Sequence, residues 1–462
     1  MRALIKRQYG KEQPHIRFGP FKIRIPFIHM GWEWPEAIIG ILNIAAPLAG
    51  AGFISELTGL PFSTTVIFVF VNNMLYTINP IMGDPVFPGW ITPGVPLSLA
   101  FLWTFPDVTT RIQALIAMQV SLGLIFLILG VTGLANKVVK HVPSSLRAGC
   151  LMGAAISSMM DCFTRRMVGN PVSLMFGILI AFLLMFSLRN EEWTKNKIYA
   201  KLTKYGMAVS IVGAFAVGLL IKELTIPPNL FADGIIVNFA NYKDIFNTMT
   251  VFAVGIPPLE IWISAIPTAI ALYVIALGDF IYADEYVSQA NIARPDETLD
   301  YDSDRCHISC AIRNGIMGIF FPFPPCCGPL WGSGTVAAIE RYKKGEKEMN
   351  SVYDGVIAFI LFMAFGMLFM PLLNLFKPIL PIATGINFAI QGYASMYIAM
   401  QMLHTKEQRS ICGVMAVTLA AKGAAWGLAV GIVVYLIIGA KDSPAPSTVL
   451  ANKSEDALLN EA

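Results

Sequence analysis

Three acidic residues stand in, or at the end of, one long apolar run: Asp279, Asp284 and Glu285, within residues 262–287. A carboxylate in hydrocarbon costs several kcal/mol unless it faces a cavity or a partner, so acids in such a place are read as functional. Their chemistry is the binding of a cation, either a proton taken up by the carboxylate or a sodium ion sharing its oxygens. The competing roles are a helix cap or an ion pair for Asp279 and an interfacial position at the cytoplasmic end for Asp284 and Glu285. A second group of candidates lies on two short stretches rich in Gly and Pro, too interrupted to be plain helices. Thr92, Gly94 and Ser98 belong to Gly89–Ser98 (GWITPGVPLS), and Trp331, Gly332, Ser333, Gly334 and Thr335 belong to, or directly follow, Pro324–Ser333 (PPCCGPLWGS). Backbone N–H groups at a helix start, flanked by hydroxyls and free of acids, suit an anion. Trp331 or Phe101 can cover a solute or simply pack, and Glu56 and Tyr282 are weaker lining candidates, Glu56 reading rather as an interfacial residue.

The elements that must position these residues are set by composition. Of 462 residues, 55% are hydrophobic and 14% charged, against roughly a quarter charged in ordinary soluble domains. That excludes an ordinary cytosolic enzyme, and a net charge of +3 gives no basic body for nucleic acid. The seven cysteines are too sparse for a disulfide framework and read as reduced, buried thiols. The basic N-terminal thirty residues lack the apolar core of a secretory signal, so the chain is expected to begin at Met1.

Crossing a bilayer takes about 20 apolar residues. Spans are expected near 36–56, 62–79, 112–135, 147–162, 171–188, 206–223, 262–284, 306–321, 353–374 and 379–403. The run 409–439 should hold two more, broken near Lys422-Gly423. With the short segments near 91–104 and 328–340 the count is about 14. Placing Met1 in the cytoplasm puts 26 of the 33 Lys and Arg on that side and 7 on the other, which supports cytoplasmic termini in a cell (plasma or inner) membrane. Arg165-Arg166 is the pair that fits this least well. Residues 441–462 read as a disordered tail.

The two interrupted segments lie about 235 residues apart, and a similar offset relates the span opening at Pro143 to the one opening at Pro381. Two halves of seven spans, 32–223 and 262–440, joined by an extracytoplasmic connection 224–261 and preceded by a cytoplasmic segment 1–31, account for this. An odd span number inverts the second half. Inverted repeats with matching broken helices point to a secondary transporter whose solute is held where those helices meet. The fold class is therefore an all-α polytopic membrane protein.

The stretch Leu277–Arg341 carries Gly278-Asp279, Asn291, Arg313-Asn314-Gly315 and FFPFPPCCGPLWGSGTVAAIER. It resembles the second-half core of the nucleobase-ascorbate transporters, including uracil permease, and of the sulfate permease (SulP) family. Trp32 to Leu60, with Pro47 and the Leu57-Thr58-Gly59-Leu60-Pro61 turn, resembles the sulfate permease opening. The resemblance implies seven plus seven inverted spans, core and gate domains, a site between spans three and ten, an elevator-like motion and a homodimer. It also places Asp279 at the family Gly-Asp position, as the cation-coupling carboxylate. This sequence departs from both groups. The glutamate that nucleobase transporters carry three residues before that Gly-Asp is Ile275 here, their Glu or Gln on the span-ten turn is replaced by Ser333 and Gly334, and no STAS domain follows the last span.

The expected function is that of a secondary transporter of a small polar solute, an inorganic anion or small carboxylate, coupled to H+ or Na+. The alternatives are a nucleobase proton symporter and a channel-like anion permease. Partners are the small-molecule substrate, the bilayer and a second copy of the chain, with no nucleic acid. No enzyme activity, cofactor or metal is expected, since Cys306-His307-x-x-Cys310 with Cys326-Cys327 lacks paired Cys-x-x-Cys units and no Walker sequence occurs. The five histidines are expected outside the apolar centres of the spans.

Overall fold

The computed structural model describes residues 2–187 and 206–438, with Trp193, Lys195, Asn196, Tyr199, Leu202 and Thr203 between them. The expected tail 441–462 lies outside the described residues, as do the side chains of Glu285 and Ser333. After an N-terminal hairpin of β1 (Ile16–Phe18) and β2 (Phe21–Ile23), the first half comprises α1 (Trp34–Leu42), α2 (Ala45–Thr58), α3 (Phe62–Leu75), α4 (Ile78–Met82), β3 (Gly89–Trp90), α5 (Val95–Leu102), α6 (Val108–Val131), α7 (Ala135–His141), α8 (Ser144–Asp161), α9 (Pro171–Phe186) and α10 (Gly206–Leu220). A short amphipathic helix, α11 (Tyr242–Met249), lies in the connection. The second half comprises α12 (Leu259–Ala293), α13 (Ser303–Phe320), β4 (Cys327–Gly328), α14 (Gly332–Lys343), α15 (Val352–Gly366), α16 (Met370–Phe376), α17 (Leu380–Gln401), α18 (Lys406–Lys422) and α19 (Ala424–Ile438).

Each expected apolar run carries helix. Four stretches are long and apolar enough to cross a membrane: Phe62–Met82, Val108–Val131, Leu259–Ala293 and Met370–Gln401, and Pro171–Phe186, Val209–Leu220, Val352–Gly366 and Trp426–Ile438 are shorter apolar helices. The chain is a multi-pass membrane protein. Local chemistry sets the boundaries. Gly59, at φ +74°, ends α2 with its N–H on the Ser55 carbonyl, and Pro61 opens α3. Asp107 caps α6 by accepting from Thr110 N at 2.9 Å. Thr405 and Gln408 form a capping box on α18, and Gly423, at φ +88°, divides α18 from α19 at the expected break. The run expected as one span at 36–56 is two helices, interrupted at Asn43 and Ile44.

The helices pack in two groups. In one, α6 lies against α12 and α13, and α1 against α15; in the other, α8 lies against α17 and α18, and α9 against α10. Glycines allow the close approaches, as small residues do between helices in lipid. A Cβ on Gly130 of α6 would stand 2.7 Å from the Asp304 carbonyl oxygen, and one on Gly153 of α8 would stand 3.0 Å from that of Ala416. Contacts of α2 with α17, α5 with α8, and α12 with α8 and α19 join the groups. Arg165 and Arg166 lie on a π-turn that extends α8, where Arg166 Nε meets Asp161 Oδ2 at 3.0 Å.

The N-terminal segment is folded onto connections of the second half. Arg7 lies 2.8 Å from Asp296 and 3.0 Å from Glu297. Gly10 N donates to the Asp296 carbonyl, and Lys22 reaches Asp300 at 2.9 Å. Arg294 holds Asp296 at 2.5 Å and donates to the carbonyls of Tyr342 and Met349. Arg294 keeps the Asp296 carboxyl below its ordinary value. Glu297 is almost wholly buried, and burial pushes its carboxyl up from 4.5 to about 7 against the opposing effects of Arg7 and a 2.7 Å hydrogen bond from Ser351.

This sets a pH dependence. The folded chain keeps a proton on Glu297 that the unfolded chain releases, so the stability contributed by Glu297 is full below pH 4.5 and is lost as pH rises through about 7. On raising pH from about 5 to about 8, the thermal midpoint of the wild type should fall more steeply than that of Glu297→Gln. Parallel pH profiles would remove this assignment.

Candidate functional site

The site is built around a two-residue sheet. Gly89 and Trp90 pair antiparallel with Gly328 and Cys327, and the Ile91 N–H donates to the Cys326 carbonyl at 2.9 Å. Each strand feeds a helix start: β3 leads through the 3-10 turn Thr92–Gly94 into α5, and β4 leads into α14. Because the strands are antiparallel, the chain leaves the sheet at opposite ends, toward α5 past Cys326 and toward α14 past Phe87, where the Trp331 N–H donates to the Phe87 carbonyl. Backbone unwound at membrane depth must find partners inside the protein, and here each broken segment supplies the other's. The pairing demands glycine. A Cβ on Gly328 would stand 2.9 Å from Ile91 Cγ1 and 3.1 Å from its nitrogen, and one on Gly89 would stand 3.0 Å from the Leu330 carbonyl oxygen.

A ring of polar side chains, three amides and one guanidinium with Asn79 beyond it, encloses this sheet. Asn314 donates to the Cys327 carbonyl at 2.8 Å and accepts from its N–H at 2.9 Å. Asn72 accepts from the Trp90 indole N–H at 2.8 Å and donates to Cys327 Sγ at 3.3 Å. Gln119 accepts from the Phe323 N–H at 3.1 Å. Arg313 donates to Asn79 and to the carbonyls of Gly328 and Gly89. The sequence reading gave none of Asn72, Asn79, Gln119 and Arg313 a role. Amides and a guanidinium inside apolar runs were the available signal, subject to the same cost argument applied to the acids.

The expected substrate residues are brought together in backbone but differ in what their side chains do. Thr335 is fully buried, and its hydroxyl accepts from the Phe87 N–H at 3.3 Å, so it fastens α14 to the approach of β3 and is no free solute ligand. Ser98 is likewise buried, donating to the Gly94 carbonyl one turn back at 3.2 Å. A Cβ on Gly94 would stand 2.3 Å from Leu272 Cδ2, so its outer face is filled by α12. Thr92, half-buried, lies on the turn itself, with its hydroxyl 3.5 Å from the Trp90 carbonyl. Gly332 is exposed with open space where a Cβ would stand, and half-buried Gly334 follows it. Trp331 is half-buried, its ring set edge-to-face on Phe359 at 5.3 Å. Phe101 packs on Phe105, and Glu56 is exposed. What the two broken segments leave unfilled by side chains is thus chiefly backbone: the turn at Thr92 and the start of α14.

Asp279 lies on α12 seven residues after Leu272, close to two full turns, so it shares the face that meets Gly94, about 10 Å further along the axis. It is half-buried, and among the described residues no hydrogen bond or ion pair reaches its carboxylate. It therefore neither caps a helix nor pairs with Lys or Arg. Asp284 is exposed. Tyr282 lies 6.3 Å from Tyr286, ring to ring.

His307 departs from expectation. It is fully buried on α13, hydrogen-bonded to the Ser303 carbonyl and to the Tyr273 hydroxyl and stacked on Phe280 at 3.8 Å, because packing between α6, α12 and α13 reaches further toward the helix start than hydropathy suggests. The seven cysteines are free and buried. Among the described residues no group of three His, Cys, Asp or Glu side chains is arranged to hold a metal ion. In the connection, Ile245 and Met249 of α11 are buried while Phe231, Ile235, Ile236 and Phe239 are exposed.

No family model and no curated protein sequence matches the chain. Solved structures do. A structure of SLC26A9 aligns with a TM-score of 0.56 at 14% identity, over 88% of this chain and 65% of that one. The fold is that of an SLC26-type transmembrane domain. The murine Slc26a9 anion transporter in its inward-facing state aligns at TM-score 0.55 and 13% identity, over 88% of this chain and 68% of that one. The transmembrane domain of the cyanobacterial bicarbonate transporter BicA aligns at 0.54 and 12%, over 86% and 97%. The chain spans less than two thirds of the first SLC26A9 structure and almost all of the BicA domain. These structures stand on the sulfate permease side of the resemblance.

The pairing of β3 with β4 gives a direct check. Gly328→Val should force Ile91 away and cost about 1–3 kcal/mol, visible as a lowered thermal midpoint of the detergent-purified chain. Gly332→Ala, in open space, should leave that midpoint unchanged. Equal effects of the two would mean that the close approach is not what holds the segments.

Proposed function

We propose that this protein is a secondary active transporter of a small anion, an inorganic anion or small carboxylate, held between the helix starts of α5 and α14. The observation that supports this reading is the antiparallel pairing of Gly89–Trp90 with Cys327–Gly328, since each strand runs into a helix start whose N–H groups suit an anion. The turn at Thr92 and Gly332, Ser333 and Gly334 supply backbone N–H groups, with the Thr92 hydroxyl beside them and Trp331 as a wall. The printed descriptions of the similar structures, an anion transporter and a bicarbonate transporter, favour an anion over a nucleobase.

In this reading Asp279 is the coupling group. A carboxylate on a membrane helix, beside the broken segments and without a protein partner, is suited to take a proton or share in a sodium site, neutralising the charge that the bilayer penalises. The helices are arranged as two inverted halves of seven spans, both termini in the cytoplasm. The group containing α6, α12, α13 and the two broken segments moves as a body against the group containing α8, α9, α17 and α18, carrying the solute across. A second copy of the chain completes a homodimer through the second group.

The test is uptake into proteoliposomes of labelled inorganic anions, small carboxylates and nucleobases, with proton and sodium gradients imposed separately. Accumulation of an anion under one gradient is expected. Accumulation of a nucleobase alone, or anion flux that never exceeds equilibrium, would replace this reading with a nucleobase symporter or a channel. In the same assay Asp279→Asn should lower gradient-driven accumulation at least tenfold while retaining anion exchange, and full accumulation by that variant would end the coupling role.

A further inference from the structure

Arg313 stands directly behind the two helix starts without belonging to either broken segment. It is fully buried on α13. Its guanidinium donates to Asn79 Oδ1 at 3.1 Å, to the Gly328 carbonyl at 2.8 Å and to the Gly89 carbonyl at 3.0 Å, with the Tyr76 ring 4.8 Å away. Every one of these partners is neutral. Among the described residues no carboxylate lies within ion-pair distance of Arg313, and its Nε–H has no acceptor. Arg305, eight residues earlier on the same helix, is buried as deeply but meets Asp84 at 3.0 Å.

A buried cation without a counter-charge is costly. The clip across β3 and β4 does not need a charge, since Asn314, the next residue, makes two hydrogen bonds to Cys327 with a neutral amide. The charge therefore answers another requirement. The carbonyls held by Arg313 precede Thr92 by three residues and Gly332 by four, and extended chain covers at most ~3.6 Å per residue, so with the hydrogen bonds of 2.8 and 3.0 Å added the guanidinium lies within about 17 Å of both helix starts.

We infer that Arg313 is the residue that makes the site select by charge, its unpaired cation serving as the standing counter-charge for an anionic solute at the two helix starts. This rests on the anion-transport reading above and deepens it. Neutral solutes of the same shape gain nothing from Arg313. Unit charges about 12 Å apart at an effective dielectric of about 20 attract enough to change affinity roughly tenfold. Asp279 then acts in the opposite sense: when it is ionised it weakens this attraction, and when a proton or sodium ion neutralises it the full positive potential returns.

The experiment compares the full-length wild type with Arg313→Gln, Arg313→Met and Arg313→Lys in nanodiscs, titrated with chloride, bicarbonate, sulfate, and the matched pair acetate and acetamide. Size-exclusion profile and circular dichroism establish folding. The wild type should bind at least one anion and prefer acetate to acetamide at least tenfold. Arg313→Gln and Arg313→Met should lose about tenfold in anion affinity with acetamide binding unchanged, whereas Arg313→Lys, which keeps the charge, should stay within about threefold of the wild type. A folded Gln or Met variant that binds anions like the wild type overturns the role of Arg313 and leaves the anion reading standing. So does a Lys variant that falls as far as they do. A wild type that binds no anion, or binds acetate and acetamide alike, overturns both. If the charge-removing variants do not fold, the wild-type acetate preference and its retention in Arg313→Lys decide the matter.

Discussion

Polar backbone inside a membrane has to be satisfied by protein, and in this chain that requirement falls on one short contact. Gly89–Trp90 and Cys327–Gly328 exchange the hydrogen bonds that a continuous helix would have made for itself. Much of the surrounding structure serves this contact. The glycines allow the approach, Asn314 and Asn72 hold Cys327 and Trp90, Thr335 fastens α14 to Phe87, and α12 closes over Gly94 through Leu272. The helix starts at Val95 and Gly332 are consequences of the same break. A plain helix at either place would remove both the need for the ring of amides and the exposed N–H groups.

The electrostatics follow from the same economy. Lipid makes every unpaired charge costly, so most buried charges here are matched: Arg305 with Asp84, Arg294 with Asp296, and Arg341 with Glu33. Asp279 and Arg313 are the two among the described residues that stand beside the broken segments without such matching. One is negative and on α12; the other is positive and on α13.

Much of the architecture was legible in the sequence because hydrophobic length and Gly/Pro interruption are local properties. The break at Gly423 and the interrupted segments are written in a few adjacent residues. Some expected spans are two helices: α1 and α2 are interrupted at Asn43 and Ile44, where no Gly or Pro announces a stop, and α15 and α16 stand in place of one span at 353–374. Side-chain roles were less legible, because they depend on partners far along the chain. Ser98 and Thr335 looked like solute ligands by type and position, yet their hydroxyls are committed to Gly94 and Phe87. Arg313 stood in a quoted motif, but its significance depends on Gly89 and Asn79, more than 220 residues away. His307 was misplaced for the same reason: its burial is supplied by α6 and α12, not by its own neighbours in sequence.

The N-terminal segment has a consequence for how the chain is made. Arg7, Gly10 and Lys22 find their partners at Asp296, Glu297 and Asp300, and Gly89 finds its partner at Gly328, so early residues wait for others made more than 200 positions later. A ribosome adding roughly 5–20 residues per second leaves both waiting for tens of seconds. During that interval the first half sits in the bilayer with its broken helix unpaired and its basic leader undocked. The halves are therefore not independently foldable cassettes. The closing of the leader over the second-half connections has to follow the synthesis of residues 296–300.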